Sequence, residues 1–447
     1  MFKRIAVITI IIQVLKVPVS FGQKLDSTDT EVTISAQYRP RFEIRNGNFR
    51  PLLKSENPAI LITDRLRFSF EYQYKNIVTF KIAPQAVGLW GQASMIQGIE
   101  NDGNKLALFE AWTKIKIAKK WDLQVGRQVI SLDDERIFGE LDWAQGGRSH
   151  DAASIHFQNN GITLKGYLGY NQNYKQLYQN NINNISGNLY STKNAYPYKL
   201  MQTIWVNFKL GPSQKLSVLV NNIGYQNALF NNIDTVTHYL HTMGIYYQSN
   251  HPKWLLNLSG YYQTGHNSGG LTTNAILAAI YLQRNVNSKV QVGVGLDYLS
   301  GNNYGTVSNK NRAFNPLFHT GHKFYGLMDY YFVADGHNNV GLLDYFIKGN
   351  YKISAKNNIQ VAVHQFQSPS AIMVPGQYFN RNLGSEIDIS YNHTINKITT
   401  LQGGYSLYKT TPTLLLLKSV NNADKIQQWF WLSIQISPNL LKSKFKS

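Results

Sequence analysis

The chain has 447 residues, with 44 Lys and Arg against 25 Asp and Glu for a formal net charge of +19, and it has no cysteine. The missing cysteines exclude disulfides, thiol catalysis and thiolate metal sites, and the charge calls for an anionic partner: outer-membrane lipid or lipopolysaccharide, an acidic solute, or nucleic acid. A negative mean hydropathy of −0.29, with no run of eighteen apolar residues after residue 22, excludes a membrane protein built of helices.

The first element in chain order is a targeting segment. Met1-Phe2-Lys3-Arg4 is basic, Ile5 to Leu15 is apolar but broken by Gln13, and Ser20-Phe21-Gly22 supplies small residues before Gln23. This pattern predicts a secretory signal peptide over 1–22, leaving 23–447 as a single domain. The leader holds Lys3, Arg4 and Lys16 and no acid, so the charge of the rest falls from +19 to +16. Export makes nucleic acid the partner to discard.

From residue 31 onward apolar and polar residues alternate with period two, most cleanly in Arg65-Leu66-Arg67-Phe68-Ser69-Phe70-Glu71-Tyr72-Gln73-Tyr74. A strand places such residues on opposite faces. Strands are expected near 31–45, 61–74, 76–86, 105–118, 120–130, 151–158, 161–170, 200–210, 214–224, 238–249, 253–264, 273–284, 288–299, 341–353, 357–367, 383–393, 398–409 and 426–437. Very short connections such as Lys75-Asn76 and Lys119-Lys120 alternate with long ones at 87–104, 131–150, 171–199, 300–340, 368–382 and 410–425. Short turns on one side and long loops on the other predict an all-β, closed antiparallel transmembrane barrel of about eighteen strands, greasy outside and polar inside. Segment 323–333 also reads as a strand, but counting it would make the total odd and put the next short turn on the wrong side. It is therefore assigned to a long excursion that folds toward the mouth or lumen.

Parity then sorts the charges. Arg39, Arg41, Glu43 and Arg45 face inward from the first strand, Arg65, Arg67 and Glu71 from the second, Lys81 and Gln85 from the third, and Glu110, Lys114 and Lys116 from the fourth. Charges on the lipid face would cost roughly 2–4 kcal/mol each at mid-membrane. Asp297, Asp344, Glu386 and Asp388 face inward from late strands, so a basic wall opposes an acidic one. Tyr72, Tyr74, Trp121, Trp254, Tyr261, Tyr262, Tyr351, Tyr391, Tyr405 and Tyr408 lie near strand ends, where aromatic girdles sit.

Three segments carry a family resemblance: Val125-Gly126-Arg127-Gln128; Leu141-Asp142-Trp143-Ala144-Gln145-Gly146-Gly147-Arg148-Ser149-His150-Asp151-Ala152; and Phe318-His319-Thr320-Gly321-His322-Lys323-Phe324-Tyr325-Gly326. With Arg39-Pro40-Arg41-Phe42-Glu43 and Leu383-Gly384-Ser385-Glu386-Ile387-Asp388, the chain resembles the alginate-export family of outer-membrane porins. The resemblance implies an eighteen-stranded barrel in the bacterial outer membrane with an arginine-rich constriction, through which an acidic exopolysaccharide leaves the cell with the help of periplasmic export partners. Carried onto this chain, the constriction residues are Arg41, Arg67, Arg127 and Arg148, oriented by Asp142 and Asp151; forked guanidiniums match carboxylates. Strict alternation puts Arg127 on the lipid side with Val125 and Val129, so an inward Arg127 requires a strand end or bulge near Gly126.

The function expected is passive passage of anionic or sugar-like solutes, without catalysis, metal or cofactor. Two alternatives stay open: an outer-membrane enzyme acting on lipid or glycan, and a soluble lectin-like β-protein. Ser149-His150-Asp151 are sequence neighbours, the wrong layout for a triad drawn from separate segments, and the pairs His238/His241 and His319/His322 lack the further ligands a zinc site needs. The run Leu414 to Leu417 is expected to extend a strand.

Overall fold

The computed structural model describes residues 30–47, 49–92, 105–171, 198–228, 235–333 and 336–445, and the leader expected at 1–22 lies outside the described residues. Among the described residues the chain forms a closed antiparallel barrel of eighteen strands. Strand β1 runs through Thr30–Tyr38 and Arg41–Arg45, followed by β2 Ala59–Tyr74, β3 Val78–Leu89, β4 Lys105–Ala118, β5 Trp121–Gln128, β6 His150–Asn159, β7 Ile162–Tyr170, β8 Leu200–Lys209 and β9 Gln214–Ala228. The second half comprises β10 Thr235–His251, β11 Trp254–His266, β12 Thr272–Asn285, β13 Val290–Leu299, β14 Leu342–Lys352, β15 Asn357–Gln367, β16 Asn382–Thr394, β17 Thr399–Thr410 and β18, made of Ile426–Ile436 and Asn439–Phe445. Each strand pairs with its sequence neighbours, and β1 closes on β18 with Thr30 opposite Phe445 and Arg41 opposite Ser433. Both seam strands are interrupted, β1 at Arg39-Pro40 and β18 at Ser437-Pro438, where proline offers no N–H to the ladder.

The eighteen expected strands all form. The last is longer than its alternation suggested, because pairing resumes after Pro438 and carries it to Phe445.

The period-two pattern explains which way the faces turn. In β2, Leu66, Phe68 and Phe70 are exposed on the outside, Phe68 by 44%, while Arg65 on the inner face is 0% exposed. Tyr74, Tyr262, Tyr351, Tyr391 and Tyr405 lie on the outer face near strand ends, as a girdle requires, but Tyr261 and Tyr408 do not: both point inward and are buried. Parity forces this, since Tyr261 alternates with the outward Gly260 and Tyr262, and Tyr408 alternates with the outward Tyr405 and Leu407 side of β17 by way of buried Ser406.

The lumen is not uniformly polar. Toward the long-loop end, the loops 129–149 and 300–341 fold into the barrel and bury an apolar core against its inner wall. Ile130, Ile137 and Phe138 of the first loop and Tyr325, Met328, Tyr330 and Tyr331 of the second pack with inward-facing Leu219, Ile223, Leu240, Leu277, Leu299, Leu342, Phe366 and Trp429. The excursion containing 323–333 thus lies inside the lumen and is not a wall strand. The two loops are laced together by backbone bonds: Gly139 N–H donates to Phe318 O at 2.8 Å, Phe318 N–H to Ile137 O at 3.0 Å, and Thr320 N–H to Glu135 O at 3.1 Å. Leu414–Leu417 does not extend a strand. It belongs to a short helix, α1, Pro412–Leu417, because Pro412 stands at its first turn and the Thr411 hydroxyl accepts from Leu414 N–H at 3.2 Å, which are helix-start signals.

Candidate functional site

The basic wall of β1 and β2 is where expected, but most of its arginines are occupied. Arg39 Nη1 and Arg65 Nη2 grip the two oxygens of Asp142 at 3.1 and 2.8 Å. Arg39 also donates to the carbonyl of Asp142 at 2.6 Å and to Gln145 Oε1 at 3.1 Å, and Arg65 to the carbonyl of Gln145 at 3.3 Å. Arg41 bonds Glu43 at 2.8 Å and Trp143 O at 2.8 Å, with its guanidinium 4.1 Å from the Trp143 ring. Arg39, Arg41 and Arg65 are all buried. Instead of lining open water, they hold the inserted loop 129–149 against the wall. Burial opposes ionisation of Asp142, but Arg39 and Arg65 outweigh it and hold the carboxyl below its usual range.

Further anchors fix the rest of the plug. Arg45 donates to the carbonyl of Met328, and Met328 N–H donates to Glu386 Oε1 at 2.7 Å. Gly326 has φ +82°, and a Cβ there would run into the Glu386 carboxylate, so glycine is what lets the loop come this close. Arg136 forks onto Asp297, 3.0 Å from Nη1 to Oδ2 and 2.8 Å from Nη2 to Oδ1, and bonds Asp134 at 2.9 Å. Burial disfavours the Arg136 charge, but Asp297 and Asp134 more than offset that. Asp388 is buried and accepts from Ser406 at 2.5 Å. On the acidic wall Asp297 and Glu386 are therefore buried anchor points for the plug, while Asp344 and Asp388 bond within the wall, to His364 and Ser406.

Arg148 is a correction to the expected constriction. Its guanidinium donates to the carbonyls of Phe318, His319 (2.8 Å) and Gly139 (3.4 Å); it staples one loop to the other and presents no free donor fork to the lumen. Arg127 and Asp151 are a second correction. They pair in a fork, 2.9 Å at both contacts, and lie opposite each other on the outer face of β5 and β6. Gly126 is distorted, at φ +126°, yet Gln124 and Gln128 on either side both remain buried and inward, so no parity change follows and Arg127 keeps the lipid side with Val125. Ser149 bonds the carbonyl of Phe109, His150 faces inward to Tyr198 at 3.1 Å, and Asp151 faces outward; these three side chains diverge.

The charges left open to water lie toward the short-turn end, below the plug. Arg67 shares Gln85 at 2.8 and 3.0 Å and lies 3.4 Å over the Phe109 ring; with Lys81 and Glu110, which pair with each other, it lines a cavity of about 320 Å³. Glu110 keeps the inward parity of Lys114 and Lys116, and a bulge that leaves Phe109 unpaired opposite Ala83-Pro84 turns that ring inside as well. A second, larger cavity of about 580 Å³ is lined by Asp133, Tyr246, Tyr281, Lys323, Phe346, Lys348 and Asp388 among others.

Around this band lysines recur beside inward aromatic rings: Lys81 and Lys114 each 5.9 Å from Trp112, Lys165 5.6 Å from Trp205, Lys215 5.8 Å from Tyr246, and Lys348 4.8 Å from Phe346. Lys165, Lys215 and Lys348 were not among the expected site residues, although each shares the inward parity of its strand with a buried neighbour, Tyr167, Ser217 and Phe346. Arg136 lies in a loop, where no periodicity could flag it. Gly293 and Gly295 leave room for the Tyr281 and Phe346 rings.

A closed barrel of this size with a lined aqueous band and an inward plug defines an outer-membrane channel for solutes. The match of the alginate export family model to residues 30–372 goes further, and the chain belongs to that family. None of the curated proteins matches the sequence. Among solved structures, the chain is similar to OccAB4 of Acinetobacter baumannii (TM-score 0.61, 11% identity, 94% of this chain and 100% of that one) and to OccK5 (OpdH) of Pseudomonas aeruginosa (0.59, 9%, 92% and 99%). It is also similar to Pseudomonas aeruginosa OpdK solved with vanillate (0.58, 9%, 93% and 99%). At such identities the likeness speaks for the fold.

Proposed function

We propose that the channel passes small solutes that join an anionic group to a ring, such as acidic sugars or aromatic carboxylates, and that it works without catalysis. The observation that carries this is the band of lysine and aromatic pairs below the plug, from Lys81 and Trp112 round to Lys348 and Phe346. An ammonium attracts the carboxylate while the adjacent ring takes the apolar face of the solute, and neither holds it strongly enough to stop conduction. OpdK, a channel of the same fold, has been solved with vanillate, which supports the small-solute reading. Arg67 adds a forked donor to the same band.

Export of an acidic polysaccharide, the activity for which the family is named, is a second reading favoured by the basic lumen. It asks more of the molecule, because the lacing between Gly139 and Phe318 and the Arg136 fork would have to part to let a polymer through.

Planar-bilayer recordings test the proposal. Wild-type channels are expected to prefer chloride over potassium and to be blocked by galacturonate more than by galactose. Lys165→Glu with Lys348→Glu should reverse or abolish both preferences. A cation-selective wild type, or preferences unmoved in the double variant, would sink it.

A further inference from the structure

The short turns on the periplasmic side carry charge of one sign. The eight connections are 75–77, 119–120, 160–161, 210–213, 252–253, 286–289, 353–356 and 395–398, and they hold Lys75, Lys119, Lys120, Lys253, Lys289, Lys356 and Lys397 with no Asp or Glu. Lys209, Arg284 and Lys352 at the adjoining strand ends bring the basic set to ten, while the acids at matching positions, Glu31 and Asp122, are paired with Lys442, Lys444 and Lys116. None of the ten is in an ion pair with another described residue, and all but the half-buried Lys75 are exposed. The long-loop side differs: it mixes signs and pairs them, as in Arg50 with Glu56 and Arg136 with Asp134.

These cations sit beside the membrane-facing side chains that mark the lower edge of the apolar belt. Tyr74 precedes Lys75, whose Nζ lies 5.6 Å from the Tyr74 ring on the outer face. Lys120 precedes Trp121, Lys253 precedes Trp254, and Tyr351 precedes Lys352. Arg284 stands opposite Trp254 across the β11–β12 ladder. Basic residues alternating with interfacial aromatics place their charge at the depth of lipid phosphates.

We infer that the periplasmic rim is an annular binding surface for anionic phospholipid headgroups of the inner leaflet. The set reaches the turns of β2–β3, β4–β5, β10–β11, β12–β13, β14–β15 and β16–β17, with Lys209 alone across the stretch from β6 to β9, so it spans most of the circumference. A single docked protein would need a patch on one side, whereas lipid surrounds the whole circumference. Each lysine near an anionic surface adds to the attraction, and the screened field confines the effect to lipids in contact.

The test reconstitutes the protein in phosphatidylcholine vesicles containing spin-labelled phosphatidylglycerol or spin-labelled phosphatidylcholine and reads the motionally restricted fraction. Wild type is expected to prefer the phosphatidylglycerol label several-fold and to lose most of that preference in 0.5 M NaCl. The variant Lys75→Gln, Lys120→Gln, Lys253→Gln, Lys289→Gln should lose at least half of it while its unheated band on gels still shows a folded barrel. Equal association of both labels with wild type overturns the inference, as does a folded variant with undiminished preference. Displacement of the phosphatidylglycerol label by soluble polygalacturonate at constant ionic strength also overturns it, because the ring would then be a collector for polyanions.

Discussion

Arg136→Met removes the guanidinium that ties loop 129–149 to the far wall. Its side chain is 6% exposed and that of Asp297 1%, joined by two contacts of 2.8 and 3.0 Å. Methionine of similar length leaves the Asp297 carboxylate buried without its partner, and stranding one member of such a pair costs about 3–5 kcal/mol. Tenfold in a local opening equilibrium corresponds to about 1.4 kcal/mol, so the loop should open at least a hundredfold more often. The chain has no natural cysteine, which makes Leu132→Cys a clean reporter: Leu132 is buried in the plug core and its replacement thiol reacts only when the loop opens. Labelling of the thiol should accelerate at least a hundredfold in the Arg136→Met background, with larger and noisier single-channel conductance. Adding Asp297→Asn to Arg136→Met should bring labelling partly back, since no lone charge then stays buried. Unchanged labelling and conductance in a folded Arg136→Met protein would refute the view that this fork holds the plug.

Asp142 and Asp133 give the plug opposite pH responses. The Asp142 carboxyl is held below its ordinary value by Arg39 and Arg65, so its stabilisation is complete above about pH 4 and is lost as pH falls through the depressed value; conductance should rise in that acid range and Asp142→Asn should remove the rise. Burial pushes Asp133 up to about 6 despite its bond from Trp205 at 2.9 Å, so docking weakens as pH climbs from about 4 to 6, and Asp133→Asn should flatten conductance over that interval. Gly326→Ala places a Cβ against the Glu386 carboxylate in a left-handed backbone; loss of about 1–3 kcal/mol of local stability is expected, read as faster labelling of a cysteine placed at Met328. Arg127→Leu with Asp151→Leu, on the outer face, should leave anion preference in bilayers unaltered, and a changed reversal potential would show that the pair senses the lumen after all.

The strand count was legible because lipid enforces parity: one charged residue on the wrong face costs as much as several good contacts gain, and Arg65, Arg67, Lys81 and Lys114 obeyed it. Arg127 follows the alternation yet breaks the charge rule, standing on the outer face paired with Asp151; the inward position came only from the resemblance. The plug was harder to read. Asp133-Asp134-Glu135-Arg136 looks like a solvated loop, and only the tertiary meeting of Arg136 with Asp297, 161 positions away, makes it an anchor. One signal was available. In Ser217-Val218-Leu219-Val220-Asn221-Asn222-Ile223 apolar residues occupy both parities, which a strand between lipid and water would not need. Leu219 and Ile223 are the inner wall against which the plug rests. Such breaks in alternation at loop-proximal ends report what fills a barrel.

The interrupted seam bears on how the molecule is made. Seventeen of its strand pairings join neighbours in the chain, but the eighteenth joins Thr30 to Phe445, so no smaller piece of the sheet can be a finished cylinder. The plug loops hang from the long-loop rim and can enter by the mouth, so closing the wall and docking the plug are separate events. The sheet becomes a cylinder only with the pairing of its first and last strands. At this seam Pro40 and Pro438 have no N–H to give and bond across it only through their carbonyls, which accept from Ile434 N–H at 3.3 Å and Ala36 N–H at 3.1 Å, so it is the least costly place for the cylinder to open.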